Sequence, residues 1–312
     1  MMKKTLIAIT VAVVLCILLL LGAQWLLHPE YPEAGGLGAK GFFSLEENSV
    51  DVLFLGSSQV YCGVDTVKMT QVYGIPAYTL AASAQEVPMT EYYLQEALKT
   101  QHPKTVFVDV YSIYADIPPA GEGVISWSFD TMPDTPEKEE ALKRYYPNDR
   151  ERWNYIHYPL LRWRSRLFTG TFWQQLPQKW ESAEQAAKGR GFMPTTPLEP
   201  QTFPYLGEDD GPIRTINPAA AESFLRMADI CQKENIRLVL FKTPSPWWTR
   251  SDSTVVRAFA AENGLTFIDL SDHITDMGLD GAADTYGITH LSAAGAEKVT
   301  DYLYNHYLYL LQ

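Results

Sequence analysis

The chain has 312 residues and is 46% hydrophobic, enough for one large domain or two small ones with a sizeable core. A formal net charge of −12 argues against a nucleic-acid partner, whose affinity comes largely from Lys and Arg, and the same charge disfavours docking on an anionic lipid surface. Three cysteines make no disulfide framework: Cys16 lies in the apolar N-terminal stretch, and Cys62 and Cys231 can pair only if the fold brings them together.

In chain order, Lys3 and Lys4 precede an uncharged apolar stretch over residues 5–27. At about 1.5 Å per residue it spans a hydrocarbon core of roughly 30 Å, which predicts one transmembrane helix. Two lysines on the near side place that end in the cytoplasm and the rest of the chain outside. The stretch is longer than the apolar region of a cleaved signal peptide, and more apolar residues follow Leu21-Gly22-Ala23, so the reading is an uncleaved signal-anchor over residues 1–27. Residues 28–47, with Pro29, Pro32 and Gly35-Gly36-Leu37-Gly38, read as a linker. That glycine cluster precedes any strand, so it is no phosphate loop, and no metal or other cofactor is expected, because the histidines are scattered and no Cys-x-x-Cys pair occurs.

Beyond the linker, apolar runs alternate with amphipathic ones. Strands are expected at 50–55, 77–80, 105–110, 237–241 and 266–270. Helices are expected at 87–100, from Asn217-Pro218 onward, at 254–262 and at 299–310. The pattern predicts an α/β domain over residues 48–312 with a mostly parallel sheet. Between about 116 and 215 the alternation stops, in a stretch with five tryptophans and an arginine-rich run from Arg150 to Arg166. This stretch is expected to be a helical insertion that caps the sheet edge, its aromatics mostly packed.

In such folds chemistry gathers at the carboxyl ends of the strands. There the sequence places Gly56-Ser57-Ser58, the 81–85 turn with Ser83 and Gln85, then Tyr111, Lys242 and Ser245. Near the C-terminus, His290-Leu291-Ser292-Ala293-Ala294-Gly295 sets a histidine before the last helix. A serine hydroxyl is a weak nucleophile at neutral pH, and a neutral imidazole that accepts its proton supplies what acyl transfer needs.

These motifs resemble those of the SGNH/GDSL hydrolase superfamily over roughly residues 48–115 and 216–312. The resemblance implies a flavodoxin-like three-layer sandwich with Ser58 as nucleophile and His290 as base. It also implies oxyanion donors at the Ser58 N–H and near Ala82-Ser83, and Gln85 nearby is a candidate to orient substrate. By strand-end position alone, Tyr111, Lys242 and Ser245 are candidates to line the site, Lys242 reading equally well as a solvated surface charge. Two positions depart from the family pattern. Val108-Asp109-Val110-Tyr111-Ser112 replaces the block that supplies an oxyanion asparagine, and Gly287 stands where the acid partner of the histidine is expected. Asp284 is the nearest carboxylate and the expected acid, with Asp269 and Asp272 as alternatives. The resemblance further implies a membrane-anchored, extracytoplasmic serine esterase or O-acyltransferase. Its substrate would be an acylated glycan or envelope polymer, with a membrane acyl donor as a possible partner. The rival expectation is a non-catalytic surface module that binds glycan or protein in the same cleft.

Overall fold

A computed structural model of the protein describes residues 2–114, 116–117, 119–207 and 210–312. The described chain divides into two compact units, a smaller one of residues 1–30 and 134–181 and a larger one of residues 31–133 and 182–312.

The larger unit is built on five parallel strands, β1 (Val52–Gly56), β2 (Ala77–Ala81), β3 (Thr105–Asp109), β4 (Arg237–Lys242) and β5 (Thr266–Asp269). Their order is β2-β1-β3-β4-β5, the flavodoxin-like arrangement, whose direction of winding switches beside β1. Every residue of β1, β2 and β3 is buried, because helices cover both faces of the sheet and leave no polar face to alternate with. On one face Val52, Phe54, Phe107, Val239 and Phe241 meet Val299 and Leu303 of the C-terminal helix α6 (Ala293–Leu311). On the other lie α3 (Val87–Ala97), α4 (Pro218–Lys233) and α5 (Arg250–Glu262), joined in part by the Phe224–Phe259 contact. The expected α/β class and mostly parallel sheet hold.

Two expectations about the connections need correction. Residues 31–47 are not a free linker. Helix α1 (Gly36–Phe42) buries Ala39 and Phe42, and the Tyr78 hydroxyl of β2 donates to the Gly38 carbonyl at 2.8 Å. The small residues that read as flexible instead let this backbone lie close against the edge strand. Nor do residues 116–215 act as one insertion. Residues 119–133 and 182–215 belong to the α/β unit, and only 134–181 pack with the N-terminal helix. The returning segment is a strap. The Arg190 carbonyl accepts from Thr79 N at 2.9 Å beyond the edge of β2, Met193 N donates to the Tyr61 carbonyl at 2.8 Å, and Thr195 accepts from Ala293 N at 2.8 Å. Cys62 and Cys231 are buried and unpaired.

The smaller unit contains the N-terminal helix, Met2–Leu27. From Lys3 to Leu27 it is long and apolar enough to cross a membrane, and none of its most apolar window is buried by protein. The unit also contains short helices at Pro136–Leu142, Asp149–His157, Pro159–Trp163 and Gly170–Gln175.

Candidate active site

At the carboxyl end of β1 the chain turns sharply into α2 (Ser58–Tyr61). Gly56 has φ of +139°, and a Cβ there would lie 2.4 Å from Asp109 Cβ, so only glycine fits the turn. Ser57 caps the helix. Its hydroxyl accepts from Gln59 N at 3.3 Å and donates to Asp109 Oδ2 at 2.5 Å. Asp109 Oδ1 also accepts from Tyr111 N at 3.1 Å. The serine in the middle of the motif is thus structural, and the residue that follows it is presented to the site.

Ser58 and His290 meet although 232 positions separate them: Ser58 Oγ lies 2.7 Å from His290 Nε2. The histidine stands on a small hairpin of β6 (Thr285–Tyr286) and β7 (His290–Leu291), in which Tyr286 pairs with His290. For Nε2 to accept the serine proton, the neutral ring must carry its own proton on Nδ1. Nδ1 lies 3.0 Å from Thr289 Oγ1, so a hydroxyl fills the orienting position. Burial first, and the Lys242 cation second, lower the His290 pKa to about 4. The ring is therefore neutral, and competent as a base, at ordinary pH.

Asp284 does not fill the acid position. It is buried, and its Oδ2 accepts from Asp280 N at 2.7 Å and from Lys298 Nζ at 2.6 Å, which fastens the loop before the hairpin to α6. Asp269 accepts from Trp248 Nε1 and Ser271 N, both at 2.8 Å, and Asp272 binds Tyr205 and Arg257. Gly287, at φ of +61° in the hairpin turn, has open space where a Cβ would project.

Support for Thr289 comes from the strand ends. Gln59 Nε2 and Ser245 Oγ both donate to the Thr289 carbonyl, the latter at 3.0 Å. Gln59 Oε1 accepts from Lys242 Nζ at 2.9 Å, and the Thr243 carbonyl accepts from the same ammonium at 2.9 Å. Lys242 is fully buried rather than a surface charge. Burial pushes its pKa down, while Asp109, Asp269 and Asp252 oppose that shift. Burial pushes the Asp109 carboxyl up, against Lys242 and Ser57. Ser245 directly, and Lys242 through Gln59, therefore brace Thr289 beside His290, and both are buried rather than exposed on a substrate surface. Gln59 and Thr289 escaped the sequence reading. Their only signal was position, one residue after Ser58 and one residue before His290.

The remaining candidates divide. Ser83 donates its N–H to the Ala34 carbonyl at 3.1 Å, and Ala82 N is taken by Gln85 Oε1 at 2.7 Å, so both backbone donors are already engaged. Gln85 is buried, and its Nε2 has no hydrogen-bond partner among the described residues. The Ser58 N–H also has no described acceptor. Tyr111 is half-buried and meets Trp247 edge-on, with centroids 5.3 Å apart. Tyr61 was not foreseen. Its hydroxyl donates to the Glu33 carbonyl at 3.4 Å, beside the Ser83 and Ser58 hydroxyls, and burial raises its pKa, so the phenol stays neutral. Burial pushes the Cys62 thiol up to about 12, which rules it out as a second nucleophile. Among the described residues no group of three or more His, Cys, Asp and Glu side chains is placed to hold a metal ion.

No family model matches the sequence, and no curated protein is a significant match. A search of solved structures finds similarity to a crystal structure of a "putative acylhydrolase" from Bacteroides fragilis, at 12% identity, with 88% of this chain and 95% of that one covered and a TM-score of 0.40.

Proposed function

We propose that this protein is a membrane-anchored serine esterase or O-acyltransferase of SGNH type. The observation that carries the reading is the 2.7 Å contact between Ser58 Oγ and His290 Nε2 at the carboxyl end of a parallel sheet. In the forward step Ser58 Oγ attacks the acyl carbonyl as its proton passes to Nε2. The C–O bond to the leaving alcohol then breaks as Nε2 returns the proton to that oxygen, which leaves an acyl-Ser58 ester. Water releases the acyl group in an esterase, and a second hydroxyl takes it in a transferase. The Ser58 N–H and Gln85 Nε2, neither with an acceptor among the described residues, are the donors best suited to the developing oxyanion.

The reading extends to location and substrate. Lys3 and Lys4 before the span favour an extracytoplasmic α/β unit. An acylated glycan or envelope polymer would be the substrate there, with a membrane-borne acyl donor as partner in the transferase case. The test is hydrolysis of aryl acetates by the full-length protein, beside Ser58→Ala and His290→Ala. Both substitutions are expected to abolish turnover and labelling by a fluorophosphonate. Unchanged hydrolysis in both variants would end the assignment.

A second reading is supported by the neutral hydroxyl on Nδ1. A carboxylate there stabilises the imidazolium and Thr289 does not, so the cleft could serve as a binding module for glycan or a protein partner. Saturable glycan binding with no fluorophosphonate labelling of Ser58 would favour it.

A further inference from the structure

The smaller unit carries an apolar and basic surface that the ester chemistry does not use. The segment from Tyr158 to Trp180 packs at the far end of the N-terminal helix. Leu27, Trp163 and Phe172 form a buried cluster there, with Leu26, Leu160 and Leu176 against it. Trp25 meets Trp180 edge-on at 5.9 Å, and Lys179 Nζ pairs with Glu30 at 2.8 Å. These contacts hold the segment where a membrane span emerges from hydrocarbon into the headgroups, the level at which tryptophan and tyrosine concentrate.

Its outer side is unusually apolar for a soluble surface. Phe168 is 89% exposed, Trp180 66%, Trp173 60% and Leu161 56%. Between Tyr158 and Trp180 the sequence carries Arg162, Arg164, Arg166 and Lys179 and no acidic residue, in a chain whose net charge is −12. The acidity that disfavours an anionic surface for the chain as a whole lies elsewhere. Exposed aromatics interleaved with arginines, next to the end of a span, match what an interfacial membrane segment needs.

We propose that residues 158–180 lie in the membrane interface, with Phe168 and Trp173 in the acyl boundary and Arg164 facing anionic headgroups. The segment is then a second, monotopic contact beside the span. The proposal rests on reading the N-terminal helix as membrane-spanning and is independent of Ser58.

The test uses the full-length protein in nanodiscs of phosphatidylethanolamine and phosphatidylglycerol. Phe168→Cys in a Cys16→Ser background carries an environment-sensitive fluorophore, since Cys62 and Cys231 are buried. Val72→Cys, at an exposed position of the larger unit, is the aqueous reference, and native Cys16 labelled alone sets the depth scale. The label at 168 is expected to be quenched by nitroxides at shallow acyl positions and to be several-fold less accessible to acrylamide than the label at 72. Equal acrylamide quenching at 168 and 72 overturns the proposal. So does shielding from acrylamide without quenching by nitroxide lipids, which would mean a protein partner covers the surface.

Discussion

His290 sits between a buried cation and a threonine hydroxyl, and that placement sets its pH behaviour. The ring works as a base only when neutral, and burial and Lys242 hold its pKa at about 4. Ester hydrolysis should therefore persist as pH falls from 7 to 5 and decline through about pH 4, as read from initial rates on a neutral ester. An acid limb near the ordinary histidine pKa, about 6.5, would contradict this placement. Thr289→Val removes the Nδ1 partner while keeping the shape. One neutral hydrogen bond is worth about 1 kcal/mol, so kcat should drop roughly five- to ten-fold with KM little changed. Gln85→Glu keeps the acceptor on Ala82 N and removes the free amide donor. Loss of an oxyanion donor typically costs on the order of 100-fold in kcat, and an unchanged kcat would remove Gln85 from the oxyanion site. At this scale Ser58 and His290 were legible because their motifs fix both residue type and strand-end position. Thr289, Gln59 and Tyr61 were not, because ordinary residues became important only through neighbours far away in sequence.

Each motif also depends on the element that displays it. The Gly56 turn can lie against Asp109 only because glycine has no Cβ, and the Ser57 cap then aims the first turn of α2. The hairpin of β6 and β7 explains why the acid is missing from its expected place. Three residues before His290 the chain is rounding a turn at φ of +61°, and a side chain there would point into open space. Gly287→Asp is accordingly expected to leave kcat unchanged; a gain of ten-fold or more would show that the hairpin can re-form around a carboxylate. The strands were readable from their continuous apolar runs, which is how buried parallel strands appear in sequence. Residues 31–47 were misread because glycine and proline mark turns and close backbone packing with the same letters.

For the whole molecule, the N-terminal helix was plain from length and hydropathy alone, whereas the division of residues 116–215 between two units was not. Nothing in local periodicity says which unit a short helix will join; that depends on tertiary contacts such as those of Trp163 and Phe172 with Leu27. The lysines before the span predict an outward-facing C-terminus. In intact spheroplasts, protease added outside should remove a C-terminal epitope tag, and full protection of the tag would reverse the orientation.

The strap has a consequence for when the protein becomes active. Residues 190–195 join the edge strand, α2 and the start of α6, while His290 arrives 232 positions after Ser58. A nascent chain that has emerged only as far as the 134–181 segment has Ser58 but neither His290 nor the strap that fastens their elements together. Contacts this distant in sequence form late. The Ser58–His290 pair should thus assemble only once the last helix has docked, and any activity proposed for it should stay latent until then.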